Sequence, residues 1–144
     1  ERSLLDESAD GAEKYRFLWL PTFHHPIYVR IENGHGGIRL STKELDGAGG
    51  YEPGKVIRSR DITLDPKVWC EFLRRLDGAS YWQLAKDNNE LGDDGSQWVL
   101  EGVKDGRYHI VDRWTPREGE YREACIYLLR LSGLDVDALK GDLY

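Results

Sequence analysis

The stretch WVLEGVKDGRYHIVDRW, Trp98 to Trp114, decides how this chain folds. Trp98 to Lys104 and Arg107 to Trp114 read as two strands around Asp105-Gly106, a dipeptide suited to the positive φ angles of a type I′ turn. Pairing about that turn sets Val103 opposite Tyr108, Glu101 opposite Ile110 and Val99 opposite Asp112. Thr115-Pro116-Arg117-Glu118 follows directly, supplying an N-cap residue, a proline at N1 and an acid at N3, which predicts a helix start. The apolar run Ala124 to Leu129 continues that helix. Gly133 closes it as a C′ residue, with Leu134 placed for an apolar contact.

Upstream, Tyr15, Phe17 and Trp19 alternate with Arg16, Leu18 and Leu20, the period of a strand packed on both sides. Ile27 to Glu32 and Ile38 to Thr42 flank a glycine-rich turn and read as a hairpin. Asp46 to Gly54 is a loop, and Val56 to Ile62 is a further strand. Asp65 caps a helix with Pro66 at N1. Trp69, Phe72, Leu73 and Leu76 form its apolar face, and Gly78 is its expected C′ residue. Tyr81, Trp82 and Leu84 are expected to plug the core edge before a polar loop, Asp87 to Ser96. A last turn of helix is expected near Val136 to Leu139. Together these elements predict an α+β fold: an antiparallel sheet of about five to six strands with two main amphipathic helices packed on it. Residues 1–14 are expected to form a polar, flexible segment, and residues 15–144 a single domain.

The 144 residues match one ordinary domain, which buries roughly two thirds of its unfolded surface. Hydrophobic residues make up 40% and charged residues 32%, enough for a core and a solvated exterior. A net charge of -6 argues against nucleic acid and anionic membrane, and it would steer a basic protein partner inward. No apolar run reaches the roughly 20 residues of a membrane span. Residues 1–14 lack the apolar stretch of a signal peptide. Methionine is absent, even at position 1, so the chain reads as a trimmed piece or a processed product. Its compartment is expected to be cytoplasmic or, if an export signal was removed, periplasmic. Cys70 and Cys125 are expected to be buried free thiols, with pairing in an oxidising compartment as the alternative.

Several segments imitate chemistry. Gly49 to Lys55 has G-x-x-x-x-G-K spacing, but Val56 replaces the required Ser or Thr and a strand follows where a helix should, so no phosphate loop is expected. Both EF-hand registers of the loop after Asp87 misplace a ligand. No cofactor is expected. Glu101 and Asp112 fall on one face of the late hairpin as diagonal neighbours, the one carboxylate pair suited to acid–base work by a hydrolase. His24, His35 and His109 are the alternative, histidines that folding would have to assemble around a metal. Lys55, Arg58 and Arg60 form a basic cluster. With Tyr51, Glu52 and Trp114 they make the expected binding surface, although packing is the commoner fate of Tyr51 and Trp114.

The run Trp98 to Gly102, with Tyr108-His109, Val111, Arg113-Trp114 and the helix beyond, resembles segments of small uncharacterised bacterial proteins. The Gly49 to Lys55 loop adds to that resemblance, which covers less than half of the chain. It implies a bacterial source and no activity. The function expected is that of a non-catalytic binding domain, an inhibitor or immunity-type protein docking on a basic protein.

Overall fold

A computed structural model describes residues 3–143 apart from 50, 89, 91, 137 and 139–142, with backbone alone at 8–10. The expected turn of helix at Val136 to Leu139 runs across 137 and 139 and so lies outside the described residues. The described residues form six strands, β1 (Glu13–Pro21), β2 (Ile27–Gly34), β3 (Gly37–Leu45), β4 (Val56–Thr63), β5 (Ser96–Lys104) and β6 (Arg107–Trp114), and two α-helices, α1 (Pro66–Gly78) and α2 (Glu120–Leu131). Short 3-10 helices occupy Leu4–Asp10 and Tyr81–Gln83.

All strands join one antiparallel sheet in the order β4-β3-β2-β1-β5-β6. The α+β architecture expected from the apolar spacings is therefore the one observed. Asp105 and Gly106 adopt φ of 51° and 73°, as the primed turn requires, and the register about them is the one expected. Tyr15, Phe17, Trp19, Val29, Ile31, Leu40, Trp98, Leu100 and Val111 share the core with Trp69, Phe72 and Leu76 of α1 and Ala124, Cys125, Leu128 and Leu129 of α2. Two tyrosines tie this layer to the sheet by donating to backbone carbonyls. Tyr81 reaches Leu100 and His109 at 3.1 and 3.0 Å. Tyr121 reaches Trp98 and Val111 at 2.9 and 3.1 Å.

Three local expectations change. Helix α2 begins at Glu120, because Thr115 has φ 44° and its hydroxyl accepts from the Ser96 amide at 3.1 Å. A hydroxyl holding the end of the hairpin cannot also cap a helix. Helix α1 does start at Asp65, whose carboxylate accepts from the Lys67 amide at 2.7 Å, but Gly78 is its last residue rather than its C′. Cys125 is buried, while Cys70 is exposed, and both are free. Within residues 1–14, expected to form a polar, flexible segment, Leu4 is fully buried.

Gly102 of β5 lies against the rings of Tyr15 on β1 and Tyr81 on the second 3-10 helix. A Cβ there would lie 2.8 Å from the Tyr15 ring and 3.1 Å from the Tyr81 ring. The Tyr15 ring cannot easily yield, since it packs edge-on to Phe72 at 5.2 Å and to Tyr81 at 6.1 Å. Gly102→Ala is therefore expected to destabilise the fold by about 2 kcal/mol, read from the urea midpoint.

Candidate functional site

Both α-helices pack on one face of the sheet, and among the described residues the other face is covered by the chain's own connections. At one end the 3-10 helix Leu4–Asp10 lies over β1, β5 and β6. Beneath it Arg16 pairs with Glu101, both nearly inaccessible. Glu101 also accepts from the Ser3 and Tyr108 hydroxyls, each at 2.7 Å. Glu7, on the helix itself, accepts from Arg30 at 3.1 and 2.6 Å and from Lys14 at 2.9 Å. The Arg30 hydrogen bonds hold the Glu7 carboxyl below its ordinary value of 4.5.

At the other end residues 46–49 and 51–55 form a backbone-paired arm, the 46–55 arm. Amides of Asp46, Gly47 and Ala48 donate to the carbonyls of Lys55, Pro53 and Glu52 at 2.9, 3.2 and 3.0 Å. The arm reaches β1, where the Gly49 amide donates to Pro21 at 2.9 Å. Only glycine fits that seat, because a Cβ at Gly49 would run into the Leu20 backbone. This is the segment with phosphate-loop spacing, and it leads into a strand rather than a helix. Between arm and sheet lies a cavity of about 420 Å³, lined mainly by apolar side chains that include Leu18, Leu20, Tyr28, Leu45 and Val56.

The arm continues into β4, an edge strand on which every residue but Ile62 is exposed. Among described residues, five large apolar side chains are exposed: Leu5, Phe23, Tyr51, Val56 and Ile57. Three of the five lie in 51–57, where they sit beside exposed Glu52, Lys55, Arg58 and Arg60. Five of the six expected binding residues thus lie in 51–60, Arg58 and Arg60 on edge strand β4 and Tyr51, Glu52 and Lys55 on the arm that leads into it. Tyr51 is 80% exposed rather than packed. Trp114 is the exception. It belongs to β6 at the opposite edge and is half-buried, its indole lying against Gly92 and Gly95 of the polar loop.

The carboxylate pair is on one face, as the register requires, but each acid has its own partner. Glu101 is held by Arg16, Ser3 and Tyr108, and Asp112 accepts from the Gln97 amide at 2.8 Å. Ser3 and Arg16 lie far from Glu101 in sequence, and no local signal announces them. The three histidines are dispersed. His24 stacks near Trp19 at 6.4 Å, His35 is exposed in the β2–β3 turn, and His109 packs between Tyr81 at 5.1 Å and Trp82 at 5.9 Å. Burial pushes the His109 imidazole below its ordinary value. Among the described residues no three His, Cys, Asp or Glu side chains converge to hold a metal ion. Glu90 and Asp94 of the polar loop line a second cavity of about 560 Å³ with Trp114 and Arg117. Among the described residues, no helix is long and apolar enough to cross a membrane.

No family model matches the chain, and no solved structure matches it. A replication factor C large subunit from Halorubrum lacusprofundi is 30% identical over 95 residues, which is 65% of this chain and 18% of that protein. The chain thus spans less than a fifth of the curated relative it matches.

Glu101→Gln removes the charge facing buried Arg16 and is expected to cost about 3 kcal/mol in chemical denaturation. Asp112→Asn should stay within about 0.5 kcal/mol. A depressed carboxyl stabilises above its unfolded value and ceases to as pH falls through its folded one. Amide protection of residues 4–10, taken relative to the intrinsic exchange rate at each pH, is therefore expected to fall as the solution is taken below 4.5, whereas in Glu7→Gln it should already be low at neutral pH.

Proposed function

We propose that this chain is a non-catalytic protein-binding domain that docks through β4 and the 46–55 arm, as an inhibitor or immunity-type protein occupies its target. One observation carries this reading: exposed Tyr51, Val56 and Ile57 fall with exposed Lys55, Arg58 and Arg60 in one run, residues 51–60, that passes from the arm into edge strand β4. Large apolar side chains clustered among cations are what interface centres are made of, whereas singly scattered ones are ordinary surface. The adjoining cavity supports the same reading, because its Val56 wall continues into the edge and offers an apolar side chain a place to insert. The local charge here differs from that of the whole chain. Long-range steering by -6 favours a basic partner, but contacts made at this edge meet cations.

The test is affinity capture from cells of the source organism, comparing the native chain with a Tyr51→Ser, Ile57→Glu double variant. Both positions are exposed, so the variant should keep its denaturation midpoint to within about 0.5 kcal/mol. The expected result is a protein retained by the native chain and by a Lys67→Ser, Arg117→Ser control, and lost by the double variant. The same proteins retained by all three would overturn the proposal.

A further inference from the structure

The two edges of the sheet are finished differently. Along β6, residues 82–86 run beside the strand: the Asp112 amide donates to Lys86 at 2.7 Å, and Arg113 and Arg107 donate to Ala85 and Trp82 at 2.8 and 2.9 Å. Along β4, no described residue outside β3 donates a backbone hydrogen bond to Ile57–Ile62 or accepts one from them. An eight-residue strand with its outer backbone groups turned to water is a template for one more strand.

Resting on the docking reading above, we infer that β4 takes an extended segment of the partner as a seventh strand, and that this segment carries Asp or Glu at positions i and i+2 facing Arg58 and Arg60.

The register supplies the side-chain requirement. Arg58 and Arg60 pair with Glu44 and Thr42 of β3 and so lie on one face of the sheet, while Ser59 and Asp61 lie on the other. Residues of an added strand alternate in the same way whether it runs parallel or antiparallel, so side chains facing the two arginines are two positions apart. Neither arginine has its charge fully met within the chain. Arg58 is 76% exposed and 3.5 Å from Glu44, which also receives His25 at 3.0 Å, and among the described residues Arg60 makes no ion pair. On the opposite face Asp61 accepts from Ser41.

A second copy of the chain fits poorly. In a two-fold antiparallel pairing of β4, opposed residues must share a face, so their numbers sum to an even value. The four central registers then oppose Arg58 with Arg58, Arg58 with Arg60, Arg60 with Arg60, or Asp61 with Asp61, and directly opposed like charges destabilise a sheet. The charges that keep copies apart are the ones that select an acidic strand.

The probes are short fluorescent peptides on a Thr/Val background, one with Glu at two alternate positions, one with Lys there, and one with the two glutamates adjacent. Binding to the whole chain is read by anisotropy, and its location by amide exchange. The alternate-Glu peptide is expected to bind about tenfold more tightly than the Lys peptide, two cross-strand pairs turning from attraction to repulsion. Amides in 57–63 should slow, and N-methylation along one edge of the peptide should abolish binding. The Arg58→Glu, Arg60→Glu chain should reverse the preference, and Arg58→Met, Arg60→Met should erase it. Protection of 57–63 without any charge preference would overturn the acidic segment and leave docking at β4 standing. Failure of every peptide to protect 57–63, with the captured partner protecting some other surface, would overturn both. Self-association that protects 57–63 would overturn the acidic segment in favour of a second copy.

Discussion

Two helices can cover only one face of a six-stranded sheet, and the remainder of this structure follows from that restriction. On the covered face, strand residues at alternate positions meet α1 and α2, and the layer needs only apolar matching and two tyrosine hydroxyls to fix its seat. Among the described residues the opposite face has no second layer of helices. The chain covers one end with the Leu4–Asp10 turn and approaches the other with the 46–55 arm. Between them lie side chains that are neither core nor ordinary surface. Arg16 and Glu101 are inaccessible yet ionic, and Leu18, Leu20 and Leu45 are apolar yet only half-buried.

This division governs how the acids and histidines are to be understood. A carboxylate becomes a general acid or base by having a pocket to work in and a proton to exchange. Glu101 instead accepts three hydrogen-bonding or ionic partners beneath the amino-terminal turn, an arrangement that fixes a strap to a sheet. His109 is similarly occupied by its aromatic neighbours. Edge strand β4 stands in contrast, since its side chains have few internal commitments.

What could be read from the residues follows the range of the interactions concerned. The Asp105-Gly106 turn and the Asp65 cap depend on neighbours a few positions away, and both were legible. The start of α2 was not, because a hydroxyl suited to capping is taken by Ser96, nineteen positions back. Cys70 looked core-facing from its apolar neighbours, but it lies off the stripe formed by Trp69, Phe72 and Leu76. The grouping of Tyr51, Glu52, Lys55, Arg58 and Arg60 was visible, since they are near one another in the chain. That Trp114 stands apart from them was not, because which strand lies at which edge is a property of the whole sheet. The Arg16–Glu101 pair and the seat of Gly49 on Pro21 depend on the same long-range assembly.

The central position of β1 also bears on how quickly the native state is reached. Its partner on one side, β2, is the next strand along, but on the other it must find β5, with Lys14 opposite Val103. The hairpins β2–β3 and β5–β6 can each form from local sequence, whereas the seam that unites them requires most of the chain to be looped out. Closing so large a loop costs entropy before any contact across it compensates, so this seam sets the topological brake on folding.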